Sequence, residues 1–209
     1  KGVIPEDHEL YMGYVGWLGS TAGNELASNA DVVLAVGCRF SDLHTSSFEE
    51  GVSFEIPPSK LIHVDIDTDE IGKNYPVEVG IQGDAKAVTD QLTTAVGDRL
   101  DPVSTEDNDY YDEMQELWAE WEERVEARHT DAVPMSISRA LVSVREALDR
   151  DGFITTSAGQ PQEITNPEFP VYEPRTNISC GGYSTMGFGV CRHRREACKP
   201  RQAGRRLRG

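Results

Sequence analysis

Long apolar runs are missing from this chain of 209 residues. No stretch of 18 or more apolar residues occurs, and the first residues, KGVIPEDHELYMG, lack the basic-then-apolar layout of a secretory leader. These absences exclude a transmembrane helix and a signal peptide from the sequence as given. We therefore expect a cytoplasmic protein without a membrane partner.

Cysteine is scarce, with 4 residues and no CxxC pair. Cys38 follows an apolar run, Cys180 lies in a glycine-rich stretch, and Cys191 and Cys198 lie near the end of the chain. This pattern is typical of reduced thiols rather than a disulfide framework. A zinc site built on Cys191, His193 and Cys198 lacks a fourth ligand. We predict no metal ligand in the chain.

Basic residues are also scarce over most of the chain. Residues 1–190 contain 12 Lys and Arg against 35 Asp and Glu, whereas residues 191–209 contain 8 basic residues against one acid. An acidic surface of this size argues against binding to nucleic acid or anionic lipid. Scattered acids with few lysines are also typical of salt-adapted proteins, so the composition favours a halophilic source. The last 19 residues follow a different compositional rule.

Two apolar, β-branched runs predict buried parallel strands, at Ala30–Phe40 and Lys60–Gly72. Helix-compatible stretches surround them, at Thr21–Asn29 and at Gly83–Leu100, where Asp84 is a candidate N-cap. Alternation of strands and helices predicts an α/β fold.

The second half of the chain begins after a polar, acidic stretch at Asp101–Asp109, the best candidate for a linker. A helix over residues 110–129 carries an apolar stripe that predicts docking onto the domain, formed by Met114, Leu117, Trp118, Trp121 and Val125. A second helix is predicted from Ser136 to Gly152, with a serine cap and a glycine stop. Residues 152–162 then predict a strand followed by a glycine-containing turn.

Polar residues follow both predicted strands. Asp65 and Asp67 alternate at the carboxyl end of the second strand, where open parallel sheets bind ligands. Alternatively, these acids form a strand-end turn and cap a helix at Glu70 and Ile71. Arg39, at the end of the first strand, suits either a cofactor phosphate or an ion pair with an acid. Sequence alone leaves both pairs of alternatives open.

Histidines give weaker signals. His63 lies inside an apolar run, which favours a buried core histidine over a ligand. His8 and His44 have no partner that the sequence reveals.

Two glycine-containing stretches are candidates for ligand contacts. SAGQPQ, at Ser157–Gln162, offers free backbone N–H groups at a strand end, which suits a diphosphate. GGYSTMGFG, at Gly181–Gly189, permits close approach of the backbone to a flat ligand around Met186, or forms an ordinary turn. Neither stretch contains a nucleophile with its base, so we assign no catalytic residue.

Taken in order, four segments resemble the thiamine-diphosphate-dependent enzyme superfamily, and most closely its acetolactate synthase large subunits. These segments are DVVLAVGCRF, LIHVDIDTDEIGKNYPVEVGIQGDAKAVTDQL, ITTSAGQPQ and SCGGYSTMGFG. The resemblance covers about residues 8–190. It implies that residues 1–100 are part of a Rossmann-like central domain, residues 101–135 a linker and connecting helix, and residues 136–190 the start of an α/β diphosphate-binding domain.

The resemblance also implies site residues. In flavin-containing members, three positions would contact FAD: Arg39, Asp65 and Asp67. Six positions would contact thiamine diphosphate: Gly159, Gln160, Gln162, Gly182, Met186 and Gly187. Pro161 stands where acetolactate synthases commonly have histidine, and Ser184 replaces a usual glycine.

The activity implied is decarboxylation of pyruvate and transfer of the two-carbon unit to a second 2-oxo acid, in branched-chain amino-acid biosynthesis, by a homo-oligomer using thiamine diphosphate and Mg²⁺. The departures at Pro161 and Ser184 leave open a sister 2-oxo acid decarboxylase or carboligase. The activating glutamate of the family would precede Lys1, and its magnesium motif would follow Met186. We therefore expect a fragment that is inactive alone; a non-catalytic interaction fragment is the alternative.

The basic tail at residues 191–209 has a simple explanation in a shifted reading frame. A frame slip after Val190 allows the tail codons to encode AAIGAKLANPDRQVAAFVG, which resembles the family's continuation. The four most restrictive codons all permit it, at His193, Glu196, Lys199 and Gln202. The alternative is a polybasic arm that binds nucleic acid or anionic lipid, although it lacks interleaved aromatic residues.

Overall fold

The computed structural model describes residues 1–101, 103–106, 108–181 and 185–188. The chain divides into two compact units. Unit one combines Lys1–Tyr11 with the described residues from Thr130 onward, and unit two is Met12–His129. The basic tail and Gly182 lie outside the described residues.

Unit two is built on a three-stranded parallel sheet in the order β1–β2–β3. Its strands are β1 (Val32–Val36), β2 (Lys60–Asp65) and β3 (Val79–Gln82). The first two form within the apolar runs that predicted them, and both are parallel as expected. The prediction of an α/β fold with a Rossmann-like central part is confirmed.

The two faces of this sheet differ in burial. One face packs against a hydrophobic core formed by Ala35, Phe40, Ile56 and Leu61. On the other face β1 leaves its apolar side chains exposed, at Val32, Leu34 and Val36. The prediction that β1 is a buried strand is therefore wrong for this face, because β1 is one of the two edge strands and the described chain leaves these side chains uncovered.

Three α-helices among the described residues complete unit two. Helix α1 (Thr21–Ser28) is capped by the Ser20 hydroxyl, and α2 (Ala85–Gly97) by the Asp84 carboxylate as predicted. Helix α3 (Asp109–Glu126) packs against α1 and buries Met114 and Trp121. The apolar stripe of α3 is thus a docking face, as its spacing predicted.

Unit one contains α4 (Ile137–Ala147), β4 (Ile154–Thr156), α5 (Gln160–Glu168) and β5 (Asn177–Ser179). Strands β4 and β5 pair in parallel. Helix α4 begins after the predicted cap at Ser136 but ends before Gly152, because Leu148 already has an extended backbone. Helix α5 begins where only a turn was predicted.

The first residues of the chain belong to unit one through polar contacts. The Lys1 Nζ atom lies 2.7 Å from Glu6 Oε2, and both side chains are almost fully buried. Arg150 donates to both carboxylate oxygens of Asp7 and to Glu173. The contacts of Arg150 hold the first residues of the chain close to residues that follow more than 140 positions later in the sequence.

None of the helices formed by the described residues combines the length and apolar character needed to cross a bilayer.

Candidate functional site

The carboxyl edge of the sheet in unit two gathers the predicted FAD-binding residues. Backbone hydrogen bonds continue past the strand ends, from Gly37 N to Val64 O at 2.8 Å and from Gly83 N to Asp65 O at 3.0 Å. Arg39 follows β1, and Asp65 ends β2. Because parallel strands end at the same edge, the structure places the arginine and the acids on neighbouring strand ends.

The two acids form consecutive turns rather than a helix cap. Asp65 Oδ1 accepts from Asp67 N at 2.9 Å, and Asp67 Oδ1 accepts from Asp69 N at 3.0 Å. The alternative of a strand-end turn is therefore confirmed, whereas its helix cap is wrong, since no helix begins at Glu70 in this part of the described chain. Asx turns explain why: the short carboxylates satisfy local N–H groups and close the chain before a helical turn can form.

An apolar side chain lies between these acids. Ile66 is 70% exposed, which is unusual for an isoleucine directly after a buried strand. The edge therefore presents apolar surface beside carboxylates. The sequence shows that an isoleucine lies between two acids. Only the structure, in which β2 ends at Asp65, shows that the Ile66 side chain is exposed.

Arg39 has an exposed side chain. The structure gives its guanidinium no hydrogen bond or ion pair with another described residue. Its backbone, in contrast, is held firmly: Asn74 Nδ2 donates to Arg39 O at 3.1 Å and to Phe40 O at 3.0 Å. The ion pair with an acid, one of the two alternatives for Arg39, is therefore not formed among the described residues.

His63 is the buried core histidine that its apolar surroundings predicted. It is 1% exposed, and its Nε2 atom lies 2.8 Å from Cys38 O. Phe40 packs edge-on against the ring, with 5.4 Å between ring centroids. His63 thus supports the turn that carries Arg39.

Sequence reasoning missed a hydrogen-bonded chain through His44. Tyr14 Oη lies 2.7 Å from His44 Nε2, and Ser41 Oγ lies 3.1 Å from His44 Nδ1. Burial lowers the pKa of His44 and raises the pKa of Tyr14. His44 is therefore held neutral near neutral pH, and its ring joins the segment at Tyr14 to the short 3-10 turn at Asp42–His44. Tyr14 lies 30 residues from His44 in the sequence, so no local pattern could have revealed this contact, whereas Ser41 lies only three residues away.

The second candidate site lies at the carboxyl edge of the β4–β5 pair in unit one. Thr156 pairs with Ser179 at the ends of these parallel strands. The described residues that follow, from Ser157 after β4 and from Cys180 after β5, therefore leave the same edge. Cys180 Sγ lies 3.8 Å from Gln162 Oε1, so the residue just before the Gly181–Gly189 stretch is in contact with the SAGQPQ segment.

Gly159 adopts a backbone conformation that favours glycine, with φ 91° and ψ −163°. It precedes α5 as a cap without a side chain, so the positive end of this helix faces outward without an intervening Cβ. Gln160 begins α5, and Gln162 lies in its first turn. Thr156 adds a buried hydroxyl whose Oγ1 atom forms no hydrogen bond with any residue that the structure describes.

Two further predicted residues lie beyond β5. Met186 is 85% exposed, and Gly187 has φ 78° with open space around its Cα. Gly182 lies outside the described residues. The structure therefore shows Met186 as an exposed apolar group and does not bring it against the Gly159 turn.

No group of three or more His, Cys, Asp or Glu side chains within the described ranges is arranged to hold a metal ion. Cys38 and Cys180 are free thiols, and burial raises the pKa of Cys38.

Comparison with known proteins finds similarity to thiamine pyrophosphate enzymes. Residues 1–92 match the family model for the central domain of thiamine pyrophosphate enzymes. Probable acetolactate synthase large subunits of Methanococcus aeolicus and Methanocaldococcus jannaschii are each 34% identical over 202 and 195 residues, which cover 90% of this chain. The isozyme 3 large subunit of Escherichia coli is 29% identical over 194 residues.

The chain spans about a third of the length of these relatives, between 31% and 32%. The matched region nevertheless extends over nine-tenths of the chain and so includes parts of both units. The chain is thus similar to the central domain of thiamine pyrophosphate enzymes and to acetolactate synthase large subunits, and the resemblance predicted from its motifs is confirmed.

Proposed function

We propose that this chain is a segment of a thiamine-diphosphate-dependent carboligase that decarboxylates pyruvate and transfers the two-carbon unit to a second 2-oxo acid, as in branched-chain amino-acid biosynthesis. The observation that carries the proposal is the Gly159 turn. It opens α5 beside the end of β4, and Gln162 touches Cys180 at the start of the glycine-rich segment. Two segments separate in sequence thereby form one anion-binding edge.

The residues of this edge fit a diphosphate. Gly159 lets the phosphate oxygens approach the backbone, and the first turn of α5 provides the positive end of the helix dipole. The Gln160 and Gln162 amides supply further donors, and the unpartnered Thr156 hydroxyl can be satisfied there. Bound thiamine diphosphate supplies the carbanion chemistry. The protein's part is to hold the diphosphate and orient the cofactor. We propose that Gly182, Met186 and Gly187 also contact the cofactor.

Substitution of Gly159 by alanine tests this assignment. A Cβ at φ 91° costs about 1–3 kcal/mol of strain or displaces the backbone. We therefore expect Gly159→Ala to weaken thiamine diphosphate binding, measured by calorimetric titration with Mg²⁺ present, by about tenfold or more.

The control is Gly51→Ala, which introduces the same kind of strain at φ 72° in unit two with nothing within 4 Å. Equal thiamine diphosphate affinity of wild type and Gly159→Ala would show that the Gly159 turn does not contact the cofactor.

We also expect the isolated chain to form no acetolactate from pyruvate. Acetolactate above a cofactor-free background would show that the segment is catalytic by itself.

We propose FAD as a second ligand, at the carboxyl edge of the sheet in unit two. The exposed Arg39 guanidinium suits the dinucleotide phosphates, and the carboxylates of Asp65 and Asp67 suit hydroxyl groups. Ile66 offers apolar surface beside them. These features fit a dinucleotide that carries both charge and flat apolar rings.

Removal of the Arg39 charge tests the FAD proposal. We expect Arg39→Ala to lower FAD affinity about tenfold, because a hydrogen bond to a charged group contributes about 1.5–3 kcal/mol. Arg124→Ala removes the same charge from an exposed position on α3 and should leave the affinity unchanged. Flavin fluorescence anisotropy measures both, and equal losses in the two variants would indicate only a nonspecific charge effect.

The tail at residues 191–209 is proposed to be read out of frame. Its support is the compliance of all four restrictive codons with the family's continuation. Sequencing the source DNA across Gly187 to Gly209 tests this directly: an indel that restores AAIGAKLANPDRQ supports it, and an intact frame that ends after Gly209 favours the basic arm.

A further inference from the structure

Three successive carbonyl oxygens in the turn after β1 are each held by a side chain. His63 Nε2 lies 2.8 Å from Cys38 O, and Asn74 Nδ2 reaches the carbonyls of Arg39 and Phe40 at 3.1 and 3.0 Å. Such carbonyls normally point to water or to a neighbouring strand. Here β2 and the turn after it supply the donors instead.

The side-chain nitrogens of His63 and Asn74 must be the donors in these hydrogen bonds. A carbonyl oxygen only accepts, so His63 must carry its proton on Nε2, and its Nδ1 atom is left to face Gly72 N at 3.5 Å. Asn74 has two N–H bonds on Nδ2, one for each carbonyl. The contacts thus use the full donor capacity of both side chains toward this turn.

The turn needs this support because its backbone is strained. Phe40 is not glycine, yet it has φ 46°, in the left-handed region. Its ring is 2% exposed and packs edge-on against Phe54 and Tyr75 as well as His63. The core fixes the Phe40 side chain, and the two donors fix the backbone on either side of Arg39.

We infer that His63 and Asn74 are positioning residues that preset the Arg39 backbone for a dinucleotide phosphate. The inference rests on the FAD site proposed above and names the part of the chain that prepares it. Asn74 is the residue to test, because its side chain is exposed and its replacement removes no core packing.

Two substitutions of Asn74 distinguish positioning from simple packing. Asn74→Ala removes both hydrogen bonds, which together account for about a tenfold loss of FAD affinity. Asn74→Asp keeps the shape but turns an oxygen toward two carbonyl oxygens, so we expect a larger loss than for alanine. A packing role predicts the reverse order, since aspartate is the closer match in shape. Asn29→Asp, exposed at the end of α1, controls for the added charge.

Hydrogen–deuterium exchange provides a readout that needs no ligand. We expect both Asn74 variants to accelerate exchange in residues 39–45 by about tenfold, with β2 unchanged. Unchanged exchange in that segment, or a milder effect of aspartate than of alanine on FAD affinity, would overturn the inference. Arg39→Ala separates failure of the proposed FAD site from failure of the positioning role. If Arg39→Ala leaves FAD affinity unchanged, the proposed site fails. Accelerated exchange in the Asn74 variants would still show that Asn74 holds the turn after β1.

Discussion

Replacement of Glu6 by alanine is expected to lower the unfolding free energy of unit one by about 3–5 kcal/mol. Glu6 Oε2 accepts both from Lys1 Nζ at 2.7 Å and from Val171 N at 3.1 Å, and the Lys1 and Glu6 side chains are 7% and 3% exposed. Burial lowers the pKa of Lys1 despite the adjacent carboxylate. Removal of that carboxylate leaves a buried ammonium and a buried N–H group without an acceptor.

Urea unfolding of two further variants tests whether the buried charge causes this loss of unfolding free energy. Asp90→Ala breaks the exposed pair between Lys86 and Asp90, whose side chains are 82% and 64% exposed, and should cost no more than about 0.5 kcal/mol. The double change Lys1→Met with Glu6→Gln removes both charges and is expected to be close to wild type. A loss below about 1 kcal/mol for Glu6→Ala would show that Lys1 escapes to water.

Gly16→Ala is the second substitution with a large expected effect, about 3–5 kcal/mol in unit two. Gly16 has φ 107°, and an added Cβ would lie 2.4 Å from Leu43 O and 2.6 Å from His44 Cα. Both obstacles are backbone atoms, which cannot rotate away. Gly16 also exchanges two hydrogen bonds with the Asn24 side chain, at 2.8 and 3.0 Å.

The matched control is Gly51→Ala, at φ 72° with open space around it. Left-handed backbone alone costs an L-residue about 1–2 kcal/mol, so Gly51→Ala should lose only that much. Chemical unfolding of the two variants under identical conditions separates strain from collision. Similar losses at both positions would mean that the loop around Gly16 relaxes at little cost.

Much of the fold could be predicted because its signals are local. The β-branched runs gave β1 and β2, the Asp84 carboxylate marked the start of α2, and helical spacing on α3 identified Met114 and Trp121 as its buried residues. Each of these signals depends on residues that lie close together in the sequence. The resemblance to thiamine-diphosphate enzymes depends on the order of such segments.

The remaining features depend on contacts that a linear pattern does not contain. Helix α5 begins with Pro161 in its first turn and contains Pro167, so composition indicated a loop although a proline is tolerated at a helix start. The exposure of Leu34 depends on which strand lies at the edge of the sheet. The supports of Arg39 come from His63 and Asn74, which lie at least 24 residues along the chain. The predicted domain boundaries and the salt-adapted source stay predictions.

Unit one is assembled from both ends of the described chain, and this bears on its biosynthesis. Its hydrogen bonds from Arg150 to Asp7 and from Val171 to Glu6 join residues 143 and 165 positions apart. On a ribosome, Glu6 and Asp7 emerge long before their partners, whereas unit two emerges as one contiguous segment. Long-range contacts form slowly because the intervening chain must first be closed into a loop. Unit two is therefore expected to fold first, and Lys1–Tyr11 remains available to chaperones and proteases until Arg150 and Val171 have been made.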